Sequence, residues 1–192
     1  MGTSRRDAPA SSAAFAALLQ QTQQPLYGYL RGLLADDEQA RDARQDVFCD
    51  AWRASQKGLP PFDEESDEQA RRRWLFHVAH HKAVSALRRR KLIRWESLDT
   101  PGAREREEAA AAGSFEEQIA EGEAVRAALA SLSPDEASCL LLNVVQGFTS
   151  AEIAQIIGIS PEASKKRLSR AKQRLRAAYF AQDARREESP PP

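Results

Sequence analysis

Three helix-start signals crowd into the C-terminal third of the chain, and they restrict its fold more than any other feature. Ser133-Pro134-Asp135-Glu136 supplies an N-cap hydroxyl, a proline at the first helical position and a glutamate at the third. Thr149-Ser150-Ala151-Glu152 repeats the capping-box logic, and Ser160-Pro161-Glu162 opens a last helix. The first helix can run through Leu140, Leu141, Val144 and Val145 to Gly147, and the second spans Glu152 to Ile157. Gly158 can take the left-handed conformation that stops the second. Ile153, Ala154, Ile157, Ile159 and Leu168 then fall where they can share a core, which is the layout of a helix-turn-helix. Its second helix turns Glu162, Ala163, Lys165, Lys166, Ser169 and Arg170 outward, and Pro161 with the helix N-terminus adds backbone dipole. A helical hairpin that only packs would satisfy the same caps. The acid-free basic run that this helix carries from Lys165 on favours DNA instead.

Upstream, apolar residues also recur at helical spacing. Ala, Glu, Arg and Leu dominate while β-branched and aromatic residues are sparse, so the expected fold class is all-α. Leu18, Leu19, Leu26, Tyr29, Leu30, Leu33 and Leu34 follow Phe15, and Pro25 is expected to start a fresh helix. A second helix is predicted from about Glu38 to Ala54, with Ala40, Val47, Ala51 and Trp52 inward, before Gly58-Leu59-Pro60-Pro61 and an acidic loop. A third runs from Glu68 to about Leu92 with Trp74, Leu75, Val78, Ala79, Val84 and Leu87 apolar and a cationic outer surface. The expected organisation is a tail over 1–14, a helical bundle over 15–94, a flexible linker over 95–122, the helix-turn-helix module over 123–180 and a disordered tail over 181–192.

Lys plus Arg balance Asp plus Glu at 28 each, so only the distribution of charge is informative. One acid-free basic run spans Arg71 to Arg94 and another Lys165 to Arg176, and both are candidate phosphate-binding faces on separate bodies. Solvated surface charge is the plain alternative for either run alone. Cys49 and Cys139 sit inside apolar helical patterns and read as buried free thiols. No apolar run approaches a membrane span and the start lacks a signal-peptide core, so membrane insertion is not expected and the cytoplasm is the default compartment. For an enzyme, the best cluster is His77, His80 and His81, but no zinc-protease glutamate, phosphate loop or nucleophile elbow accompanies it. No catalysis and no cofactor are expected.

From Leu129 to Arg176 the stretch resembles the promoter-reading module of extracytoplasmic-function (ECF) sigma factors, with its leucine-rich helix, EIA, a GIS turn and a KxRLxRA helix. Bacterial regulators of the LuxR type share a similar motif, so a helix-turn-helix regulator that recruits no polymerase is the rival reading. The N-terminal half discriminates. Asp42-Ala43-Arg44-Gln45-Asp46-Val47-Phe48 with Trp52 resembles the family's DxxQ(E/D)xFxxxW segment, and the stretch from Trp74 to Arg90 is similar to its WLYxIAxNxxxDxLRRR helix. A regulator would carry a ligand or receiver domain there.

The resemblance implies a region 2-like bundle and a region 4-like module. It implies core-polymerase contacts, on the clamp of the largest subunit, through Asp42, Gln45, Asp46 and Phe48, with the flap of the second-largest subunit as a further contact. His77, His81, Lys82, Ser85, Arg88 and Arg89 would engage and melt the minus-ten element, and Pro161, Glu162, Ala163, Lys165, Lys166, Ser169 and Arg170 would read the minus-thirty-five element. An anti-sigma factor is implied as a further partner. The sequence departs from the pattern at His81 and Ser85, where Asn and Asp are usual, at Ser164, where valine is usual, and in the acidic loop before the third helix, which is longer than usual.

Overall fold

In the computed structural model, residues 8–59, 61–62, 66–98 and 125–187 are described, with side chains over 15–91 and 125–181 within those ranges. Of the expected linker over 95–122, residues 99–122 lie outside them, as do 1–7 and 188–192 of the expected tails, whereas 95–98 extend α3, 8–14 begin α1 and 181–187 end α7. All regular structure among the described residues is helical: α1 (Ala8–Leu34), α2 (Asp37–Gln56), α3 (Glu68–Leu98), α4 (125–130), α5 (Pro134–Leu140), α6 (Ser150–Ile157) and α7 (Pro161–Glu187).

The first three helices form the N-terminal bundle. α1 is one continuous helix with Pro25 inside it, where the sequence points to a fresh start at Pro25. An internal proline removes a hydrogen bond and costs ~3 kcal/mol or more. Burial on both sides of it offsets that cost, because Leu18 before it and Leu26, Tyr29 and Leu30 after it lie on one inward face. Asp36 then caps α2 by accepting from the Gln39 backbone N–H at 3.0 Å. Ala40, Val47 and Ala51 are fully buried as expected. Trp52 is not: it is 44% exposed and leans on Phe15, ring centroids 5.2 Å apart. It follows Ala51 by one residue, so it lies about 100° round the helix and only edges the core. Cys49 is likewise exposed, whereas Cys139 is buried as expected and desolvation raises its thiol pKa to about 11. α3 outlasts its expected end by a turn and buries Leu75, Phe76, Ala79 and Ala83, while Trp74 is half-buried edge-on to Phe62.

In the C-terminal module both expected capping boxes form. The Ser133 and Thr149 hydroxyls accept from the Glu136 and Glu152 backbone N–H groups, and each glutamate reaches back to its cap. α5 does not continue as an α-helix to Gly147. Over Leu141–Val145 it widens into a π-helical turn, closed by the Gln146 N–H on the Leu141 carbonyl at 3.1 Å. The wider turn keeps Leu141 and Leu142 inside and turns Val144 and Val145 out, at 64% and 62% exposure.

The two halves do not stand apart. Their buried side chains form one continuous core, with α3 packed on α6 and α1 on α5 and the π-turn. An aromatic ladder crosses the seam, Phe76 of α3 lying edge-on between Tyr29 of α1 at 5.4 Å and Phe148 of the second module at 5.2 Å. At Gly32 α1 packs closely on the π-turn, where a Cβ would lie 2.9 Å from a Leu141 methyl. Each bundle is small, and burying a shared apolar seam gains more than leaving those faces wet.

Candidate nucleic-acid interface

The helix-turn-helix is built as its residues dictate. Gly158 stops α6 at φ +73°, and both its own N–H and that of Ile159 bond to the Ala154 carbonyl at 3.0 Å. Ile153, Ala154, Ile157 and Leu168 are buried between α6 and α7, and Ile159 packs beside them. Ser160 caps α7 through the Ala163 N–H at 3.2 Å. Along α7, Pro161, Glu162, Lys165, Lys166, Ser169 and Arg170 are exposed and Ala163 is half-buried. The second basic run divides in two. Lys165, Lys166 and Arg170 face solvent, but Arg167 and Arg174 turn back to the carboxylates of Asp135 and Glu136, both at 2.8 Å, and fasten α7 to α5. Ser164 is fully buried with no hydrogen-bond partner for its Oγ.

The first basic run divides as well. Ser85, Arg88, Arg89, Arg90 and Lys91 are exposed along the second half of α3. Arg72 and Arg73, nearer its start, serve the seam instead. Arg72 donates to the Gln146 carbonyl at 2.6 Å with its guanidinium 4.3 Å over the Phe148 ring, and Arg73 and Gln69 hold Glu152 at 3.5 and 2.7 Å. The Gln69 amide, the Thr149 N–H and then Arg73 keep the Glu152 carboxyl at about 2 despite desolvation. His77 is half-buried with Nδ1 2.8 Å from the Ile156 carbonyl of α6. His81 is exposed, its ring 4.4 Å from that of His77. Among the described residues no three metal-binding side chains converge.

Between α2 and α3 runs a cleft of about 640 Å³ that brings two predicted sets together, Asp42 and Asp46 on one wall, His81, Lys82, Ser85 and Arg89 on the other. Lys82 bridges the walls, 2.9 Å from Asp50 and 3.9 Å from Asp46. Asp42, Gln45 and Asp46 are exposed, and Phe48 is half-buried against the core. Residues 18–93 match the family model described as Sigma-70 region 2, and residues 122–175 match that described as Sigma-70, region 4.

The chain belongs to the ECF sigma factors. Among solved structures, it is similar to the sigma factor RpoE in its complex with the anti-sigma factor NepR from Bartonella quintana, at 25% identity and a TM-score of 0.65, over 86% of this chain and 96% of that one. CnrH, solved in complex with the cytosolic domain of CnrY, has the same fold at 24% identity and a TM-score of 0.60, over 91% of this chain and 94% of that one. Curated proteins yield no match. Among the described residues of this sigma factor, no helix is long and apolar enough to cross a membrane.

What reading the sequence missed is the seam. Tyr29, Arg72, Ser138, Gln146 and Glu152 carry it, and their partners lie up to 121 residues away, as in the Gln146 amide on the Pro25 carbonyl at 3.1 Å. Only the basic run held a signal, since arginines next to aromatic and amide partners make such contacts as readily as they meet phosphate.

Proposed function

We propose that this ECF sigma factor binds core RNA polymerase and directs promoter-specific initiation. In this reading residues 15–94 are the polymerase and minus-ten module and 123–180 the minus-thirty-five module. Asp42, Gln45, Asp46 and Phe48 meet the clamp of the largest subunit, and the second module meets the flap of the second-largest. His77, His81, Lys82, Ser85, Arg88 and Arg89 engage and open the minus-ten element. Pro161, Glu162, Ala163, Lys165, Lys166, Ser169 and Arg170 read the minus-thirty-five element as duplex.

The observation that carries this reading is the exposed row Lys165, Lys166 and Arg170 on a helix whose Arg167 and Arg174 turn instead to the carboxylates of α5. Long donors left free on the outer face of a reading helix suit phosphates and base edges. On α2, the exposed Asp42, Gln45 and Asp46 suit a basic protein partner. An anti-sigma factor is a further partner in this reading, supported by the RpoE–NepR structure. The test is direct: purified protein is expected to co-elute with core polymerase and to support initiation from a cognate promoter. If it does neither and still binds DNA, it is a helix-turn-helix regulator.

A further inference from the structure

The closed packing of the two modules cannot be the form that reads a promoter, given the proposed function on which this inference rests. Elements at minus ten and minus thirty-five lie about 25 base pairs apart, ~85 Å at ~3.4 Å per base pair. A compact body of this length has a radius of gyration of about 16 Å, hence a span of about 40 Å. The chain between residues 98 and 125 could reach about 90 Å at full extension, so separated modules could bridge the elements. In the closed form α6 also covers His77, through the Ile156 carbonyl at 2.8 Å.

We propose that the seam is a proton-operated latch: protonation of His80 opens the closed chain and frees the His77 face of α3 together with the α6–α7 unit. The geometry lies in a three-member chain across the seam. Tyr29 of α1 lies 2.5 Å from the Ser138 hydroxyl of α5, and that hydroxyl lies 2.9 Å from His80 Nδ1. With Nδ1 unprotonated, each member has a partner, because Tyr29 donates to Ser138 and Ser138 donates to His80. A proton on Nδ1 adds a third donor to the chain. The Ser138 oxygen can accept from both His80 and Tyr29, but three protons then share the oxygens of two hydroxyls and one hydroxyl proton is left without an acceptor within the chain, where Tyr29 and Ser138 have no solvent exposure. An orphaned buried donor and a buried cation both favour the open form, where water serves them.

The charged and titratable groups around His80 support this direction. From α5 it faces Asp135, from α7 Arg167, from α1 Tyr29, and on its own helix His77 and His81. Asp135 alone would favour the imidazolium, but its carboxylate is paired with Arg167 at 2.8 Å. Burial, then the His81 charge, lowers the His80 pKa from 6.5 to about 4 in the closed chain. A histidine whose pKa is lowered by closure stabilises closure above its open-state value, and that stabilisation fades as pH falls from 6.5 towards 4. Between pH 7.5 and 5.5 the closed-to-open ratio is expected to drop about tenfold. Glu152, held at about 2, keeps its charge through that window.

The test is a histidine titration by NMR on the full chain, with small-angle scattering on the same samples. His80 is expected to titrate below 6.5 in the native chain, drawn down by the closed form, and nearer 6.5 in Gly32→Ile, whose bulk crowds Leu141 and loosens the seam without touching His80. The radius of gyration should grow on acidification to pH 5.5 with unchanged far-UV ellipticity, and His80→Gln should abolish that growth. A native His80 titrating near 6.5, or expansion of the same size in His80→Gln, overturns the latch. Neither readout involves polymerase or DNA. A chain that opens on acidification but never supports initiation therefore defeats the proposed function and leaves the latch standing.

Discussion

Ser164 in the first turn of α7 offers a prediction whose sign runs against ordinary experience with core substitutions. Its side chain is fully buried and its hydroxyl meets no partner. An unpaired buried hydroxyl costs ~1–3 kcal/mol, and serine is ~0.5 kcal/mol less favourable than alanine within a helix. Deleting one oxygen sacrifices a little van der Waals contact, of order 0.5 kcal/mol. Ser164→Ala is therefore expected to stabilise the protein by about 1–3 kcal/mol, which at ~2–4 °C per kcal/mol for a chain of this size raises Tm by about 2–12 °C. Urea unfolding at pH 7.5 should show a higher midpoint at constant slope, and DNA binding should persist because the position faces inward. Ser164→Val, which restores the residue usual at this place in the family, separates polarity from volume: if valine stabilises and alanine does not, unfilled space is the cause. A loss of 0.5 kcal/mol or more in Ser164→Ala would mean that the hydroxyl is bonded, and would refute the reasoning.

The seam, the caps and the reading row yield further expectations. Arg72→Ala removes a charged hydrogen bond to Gln146 and the stacking on Phe148, together ~2–4 kcal/mol, and should make the region between the modules more sensitive to protease; Arg72→Lys should recover less than half of that resistance. Because Glu152 is held below its usual 4.5, its contribution is complete above that value and lost as pH falls from 4.5 to about 2; Glu152→Gln should flatten this part of the acid-unfolding curve followed by circular dichroism. Neutralising Lys165, Lys166 and Arg170 together should weaken promoter binding and reduce the slope of log K against log salt by about 2.7 if each contacts a phosphate, as read by fluorescence anisotropy; an unchanged slope would remove α7 from the DNA interface.

The parts legible in the sequence were those decided within a few residues. Ser133, Thr149 and Ser160 cap where their spacing says they should, and Gly158 turns where a left-handed residue is required. The outward row of α7 follows from helical periodicity once Leu168 and Ala171 are placed inside. Parts that depend on what lies opposite were misread. Pro25 looked like a helix start because its local cost is visible and the burial of Leu26, Tyr29 and Leu30 that outweighs it is not. The first helix looked able to run on through Val144 and Val145 to Gly147 because the apolar pattern continues, yet a π-turn replaces it there and leaves both valines exposed. Arg72 and Arg73 read as DNA-facing cations because a basic run shows its charge but not its partner.

By itself the sequence determined the helices, their caps and the two modules, since hydrogen bonds four residues apart and apolar periodicity are local quantities. Tertiary structure alone decided that the modules close on each other, and that Tyr29, His80 and Ser138 meet between them. Those contacts join residues 51 to 109 positions apart, and no local pattern encodes a pairing whose stabilisation exists only when both partners leave water together.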